Sequence, residues 1–154
     1  MITLLEDVLK RTDGAYMNAQ DLQLLDRALS SWQSRKQAYS SVEANETEIV
    51  NAAVTAMRES DRFDSKPLDR LGVDRCQRDM TLGLRCCALA MLLQDPEMLK
   101  DRVLYWQQNI FLAMQLNYQG YKFLGQAIKS LLPSAQADLL TPYMKMAHEM
   151  MSGK

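Results

Sequence analysis

The chain has 154 residues, with 18 basic and 19 acidic side chains, a formal net charge of −1 and three cysteines. That length suits one domain with a substantial core, and the even charge balance leaves no electrostatic footprint for nucleic acid or an anionic membrane. An odd cysteine count with Cys86 and Cys87 adjacent makes no disulfide framework, which fits a reducing cytosol.

Few Gly and Pro beside abundant Ala, Leu, Met and Gln favour helices throughout. Residues 1–9 carry acidic side chains and no long apolar run, so neither a signal peptide nor a transmembrane span is expected there. Residues 3–10 read as a short amphipathic helix with Leu4, Leu5, Val8 and Leu9 on one side, opened by a capping box between Thr3 and Glu6. It should end near Asp13-Gly14. A second helix starts after Asn18 and carries Leu22, Leu25, Leu29 and Trp32 at helical spacing, with Ser30, Ser31 and Ser34 marking a bend or fraying near its end. Residues 45–59 form a further helix that turns Ile49, Val50, Ala53, Val54 and Met57 inward. Between Asp61 and Cys76 lies a polar segment broken by Pro67 and Gly72, a loop that should rim any ligand cleft.

The next helix opens at about Arg75. At about 100° per residue, Cys76, Asp79, Met80 and Gly83 share roughly a quarter of its circumference, so the thiol and the carboxylate look into the same space. Leu82, Leu84, Cys86, Cys87, Leu89, Met91, Leu92 and Leu93 cover most of the rest, which predicts a helix buried nearly all round, with Cys86 and Cys87 in the core. Taken alone, Cys76 is an ordinary small apolar residue at the start of a buried helix. A place in the first turn would also lower its thiol pKa. Asp95-Pro96 then starts a helix with Asp as cap and Pro at the first position. It runs through Leu99, Val103, Trp106, Ile110 and Met114 to about Asn117, with Tyr105 and Trp106 read as helix packing. Gly120 and Gly125 allow a bend or a close helix contact, and Phe123, Leu124, Ala127, Ile128 and Leu131 make another apolar face. After a break at Leu132-Pro133, Ser134 caps a final helix over 135–151, followed by a short tail. With no strand-like alternation or repeat, seven or so such helices fit an all-α, globin-like domain.

Several chemistries lack their residues. Haem needs an axial ligand deep in the core, and the only histidine, His148, lies near the C-terminus on an edge helix, so haem is disfavoured. One histidine and no C-x-x-C pair also argue against structural zinc. No Gly-rich phosphate loop, Ser-His-Asp set or paired carboxylates on one helical face stand out, so no enzymatic activity is expected. The eleven methionines read as adaptable core filling.

One stretch is more specific. It carries C-x-R-D-M at 76–80, L-R at Leu84 and Arg85, A-M-L at 90–92, D-P-x-x-L from Asp95 to Leu99, and the pair Asp101-Arg102. In this order it resembles the phycobilisome protein family, which holds the subunits of phycocyanin and allophycocyanin. The resemblance implies an all-α, globin-like bundle with an N-terminal helical extension over 1–35, the whole forming one domain over 1–154. It implies a linear tetrapyrrole (bilin) of the phycocyanobilin type as cofactor. Cys76 would be the thioether attachment site, Asp79 would hydrogen-bond the inner pyrrole nitrogens, and Arg78 would pair with a propionate, both by charge-assisted bonds. Asp13 and Arg85 match positions that form an ion pair across the family's subunit contact, implying a homodimer or pairing with a related subunit. The location implied is cytoplasmic, with thylakoid association through phycobilisomes.

Departures from the family pattern mark a divergent member. Gly83, Cys86 and Leu89 stand where light-harvesting subunits have bulky or aromatic residues, and the segment before Cys76 is shorter. Gln115-Leu116-Asn117 replaces a Gly-x-Pro, and Tyr105 and Trp106 stand where small or polar residues are usual. A second reading therefore stays open: a bilin biosynthesis-associated globin without a permanent chromophore, acting as a carrier or as an interaction partner of bilin-forming enzymes.

Overall fold

The computed structural model describes residues 1–61, 70–114 and 118–152, without the side chains of 61 and 70–73. These residues form helices α1 (Ile2–Arg11), α2 (Ala19–Ser30), α3 (Trp32–Ala44), α4 (Glu46–Asp61), α5 (Arg70–Leu93) and α6 (Pro96–Leu99). A π-helical turn (Lys100–Leu104) follows, then α7 (Tyr105–Ala113), α8 (Gly120–Leu131) and α9 (Ser134–Ser152). No strand occurs among the described residues. The fold is all-α and globin-like with an N-terminal helix pair, α1 and α2. The cleft rim expected around Pro67, the Gln115-Leu116-Asn117 segment and the end of the tail lie outside the described residues.

The core lies where α3, α4, α5, α8 and α9 cross. Ile49, Ala53 and Met57 of α4 meet Met80, Leu84, Cys87 and Met91 of α5, Leu124 and Ile128 of α8, and Leu140, Met144 and Ala147 of α9, all buried. Local signals fix several helix ends. The Asn18 side chain accepts the Asp21 N–H at 2.9 Å and opens α2. Asp95 accepts the Met98 N–H at 3.1 Å and opens α6, with Pro96 in the first position.

The structure corrects several expectations. Thr3 forms no capping box with Glu6. Its N–H and hydroxyl donate instead to the Asp95 carboxylate, at 2.9 and 2.8 Å, which ties α1 to the α5–α6 junction. Trp32 does not extend α2; it begins α3, a helix absent from the sequence reading. The buried stripe of α3 is Arg35, Ala38 and Val42, one charged and one tiny residue among them, so its pattern is faint. Arg35 is nearly fully buried: its guanidinium donates to the Leu92 and Ala28 carbonyls and, at 3.1 Å, to the Ser31 hydroxyl. Its charge thus lies against the last turns of α5 and α2, where helix dipoles are negative.

Helix α5 begins at Arg70 and runs through Gly72, which does not break it. Cys76 is therefore beyond the first turn, and the dipole argument for a lowered thiol pKa does not apply. Nor is α5 buried all round: Leu82 is exposed and Cys86 only half-buried. Downstream, the expected apolar stripe slips by one position. Trp106, Ile110 and Met114 face outward, and Gln107 and Phe111 are buried in their place. The π-helical turn inserts one extra residue per turn and rotates everything after it. Tyr105 and Trp106 are accordingly surface residues rather than helix packing.

Candidate functional site

Cys76 and Asp79 lie on the same side of α5, both half-buried, with Met80, Gly83, Leu84 and Cys87 continuing that face into the core. Opposite Gly83 stands Tyr121, close enough that a Cβ on Gly83 would come within 2.7 Å of its ring. The Tyr121 hydroxyl donates to Gln107 Oε1 at 2.5 Å. Tyr118 stacks on Phe111 with centroids 4.5 Å apart and meets Tyr121 edge-on at 5.7 Å. The thiol and the carboxyl thus border an aromatic wall supplied by α7, α8 and the residue pair before α8.

The electrostatics of this face are unusual. Burial pushes the Asp79 carboxyl above its ordinary pKa, and no hydrogen bond or ion pair answers it among the described residues. Burial, with Asp79 and Cys76 nearby, pushes the Tyr118 hydroxyl far up as well. Tyr118 Oη and Gln107 Nε2 are both buried without a hydrogen-bond partner among the described residues. Buried polar atoms are ordinarily paired.

Arg78 does not join this face. Two positions from Cys76, it is turned about 160° around the helix, and it lines a groove of about 490 Å³ with Asp74, Gln77, Thr81, Leu82 and Arg85. The structure therefore brings Cys76 and Asp79 together and sets Arg78 on the outer flank. Arg85, on that same flank, grips Glu46 through two bonds of 2.6 and 2.7 Å, and this hydrogen bonding holds the Glu46 carboxyl below its usual range. Asp13 lies exposed after α1.

Cys87 is wholly buried, and burial drives its thiol pKa far up. Cys86 is half-buried beside a groove of about 340 Å³ with Tyr39, Glu43, Glu46 and Arg85, and burial raises its pKa too. Neither thiol is prepared as a nucleophile. The residues missed from sequence are Tyr118, Tyr121 and Gln107. The available signal was the Y-x-G-Y spacing around Gly120, whose missing side chain leaves room for the Tyr118 ring. No group of His, Cys, Asp and Glu among the described residues could hold a metal ion, and no described helix is long and apolar enough to cross a membrane.

A family model described as Phycobilisome protein matches residues 10–151 of the chain. A search of curated proteins found no match.

Proposed function

The chain belongs to the phycobilisome protein family, and on that premise we propose that it handles linear tetrapyrroles, with Cys76 as the thioether attachment site and Asp79 as the carboxylate that receives pyrrole N–H groups. The observation that carries this reading is Asp79 itself: a half-buried carboxyl, pushed up by burial and unanswered among the described residues, beside a thiol on the same helical face. Pyrrole N–H donors match that need by charge-assisted bonds, so the residues present fit a bilin. A bilin of the phycocyanobilin type supplies the conjugated system that absorbs visible light and a side-chain carbon open to thiol addition. Cys76 Sγ would hold the bilin through one C–S bond to that carbon, the thiol proton being taken up by the bilin so that no group leaves. Arg78, on the outer flank of α5, would be the cation available to a propionate there.

The proposed role is binding rather than turnover, in a single domain over 1–154. The proposed location is cytoplasmic, with association to thylakoids through phycobilisomes. The partner is a second copy or a related subunit, docked through α1 and α2 with Asp13 and Arg85 at the contact. A second reading, the bilin biosynthesis-associated globin that holds a bilin reversibly for bilin-forming enzymes, is favoured by Tyr121. Its ring fills the space beside Gly83 and so takes room on the Cys76–Asp79 face that a permanently attached chromophore would need.

Co-expression with the enzymes that make phycocyanobilin tests both. A denaturing gel read for bilin fluorescence with zinc should show a band for the parent chain and none for Cys76→Ala. A band in neither overturns covalent attachment. Titration with free phycocyanobilin then decides the second reading, which requires reversible binding that weakens in Asp79→Asn.

A further inference from the structure

We infer that the outer face of α7 rests on the surface of an uncharged lipid bilayer. Tyr105, Trp106, Ile110, Leu112 and Met114 are all exposed, Leu112 at 66% and Met114 at 56%. At about 100° per residue they spread over roughly 200° of the helix, with only Asn109 and Ala113 between them. Five large side chains, each about half exposed, approach roughly 500 Å², the upper end of the apolar patch that a lone chain leaves bare. Phe111 and Gln107 already pack α7 against the core, so the outer stripe is additional to the face that holds the helix in place. The π-helical turn is what aims that stripe outward.

Three features select lipid as the occupant. Residues 103–121, nineteen in succession, contain no Asp, Glu, Lys, Arg or His, so the face offers a charged partner nothing to read, and a bilayer of zero net charge is its electrostatic match. Trp106 Nε1 already donates to the Arg102 carbonyl at 3.0 Å, so the indole enters an apolar phase with its one polar group satisfied. A protein interface carries about one hydrogen bond per 100–200 Å². Here the outer face presents only the Asn109 amide and the Tyr105 hydroxyl, too few to orient a protein partner and sufficient for a headgroup layer, where Tyr and Trp concentrate. No α7 side chain lines the grooves beside Arg78 or Cys86, and the exposed stripe is a ridge that encloses no small ligand. No described helix is long and apolar enough to cross a membrane, so α7 would lie in the plane of the interface. Lipid contact here is independent of whether Cys76 carries a bilin.

Flotation of the full chain with phosphatidylcholine vesicles, at low and at high salt, tests the contact. Co-flotation that added salt does not weaken is expected, with tryptophan fluorescence quenched by brominated acyl chains and that quenching lost in Trp106→Phe. Leu112→Glu and Ile110→Asp, both at exposed positions, should each weaken flotation roughly tenfold. Leu9→Glu, exposed on α1, should leave it unchanged. A chain that stays out of the lipid layer, flotation undiminished in both α7 variants, or loss in Leu9→Glu in their place would overturn the assignment. So would sedimentation without lipid in which Leu112→Glu or Ile110→Asp dissolves an assembly of the parent chain, because a second copy would then cover the face.

Discussion

At the scale of single residues, Asp79 is the side chain with most to gain from a ligand. Burial raises its pKa above the unfolded value, so the folded chain holds that proton more tightly than the unfolded chain does. The associated stability is complete below the unfolded pKa and is lost as pH rises through the folded one. At neutral pH the ionised carboxylate therefore destabilises the empty fold, by less than about 1 kcal/mol once solvent screening at a partly exposed site is counted. Asp79→Asn should raise the thermal midpoint of the empty chain at neutral pH and weaken bilin uptake. A lower midpoint would mean that the carboxylate has a stabilising partner, and the argument for a ligand there would fail. The pairing of Cys76 with Asp79 was legible in the sequence because both lie on one helix, where a fixed rotation per residue decides who shares a face. Tyr118, Tyr121 and Gln107 were not legible as neighbours of that face, because they arrive from other elements and only tertiary packing brings Tyr121 to Gly83 with Tyr118 and Gln107 against it.

At the scale of elements, legibility followed the strength of the apolar pattern. The stripe of α4 and the caps of α2 and α6 were readable because each rests on contacts within a few residues. α3 was not, since its inner face is led by a buried arginine. The π-helical turn was not either, because a single extra residue shifts the inward register from Trp106 and Ile110 to Gln107 and Phe111 without changing composition. The docking of α1 rests on a long-range pair equally hidden from local reading. Asp95 both caps α6 and receives the N–H and hydroxyl of Thr3. Burial alone would raise the Asp95 pKa, but the hydrogen bonds from Thr3 and Met98 outweigh it and leave the carboxyl below its usual range. Its stabilisation is thus present above the unfolded pKa and lost as pH falls through the folded one. Asp95→Ala should lose about 3 kcal/mol in urea unfolding at neutral pH, from cap and charged hydrogen bonds together, and Thr3→Val about 1 kcal/mol. Both deficits should shrink as pH falls through the lowered pKa of the folded carboxyl, where the parent side chain is itself protonated. A deficit for Asp95→Ala that is unchanged in acid would show that shape, not charge, holds the junction.

At the scale of the whole molecule, the N-terminal pair exposes apolar surface that a lone chain has little reason to keep. Leu9 is 62% exposed, Leu22 51% and Leu29 63%, and α1 and α2 are clipped together by Arg11 and Asp21 at 2.6 Å. A net charge near zero does little to keep copies apart. If a second copy covers this surface, the apolar area and the Asp13–Arg85 ion pair contribute very unequally. Arg85 is already held by Glu46 within the chain, so a contact with a partner's carboxylate exchanges one ion pair for another at an exposed site, where such pairs contribute about 0–1 kcal/mol. Covering a leucine contributes about 1.5–3 kcal/mol. Sedimentation velocity should therefore show a concentration-dependent dimer that Leu9→Glu or Leu29→Glu disperses, while Asp13→Ala weakens it only a few-fold. A dimer indifferent to both leucine variants and broken by Asp13→Ala would assign the contact to charge. A parent chain monomeric at every concentration would leave pairing with a related subunit as the occupant of that surface, because the apolar face would then lack a match on its own copy.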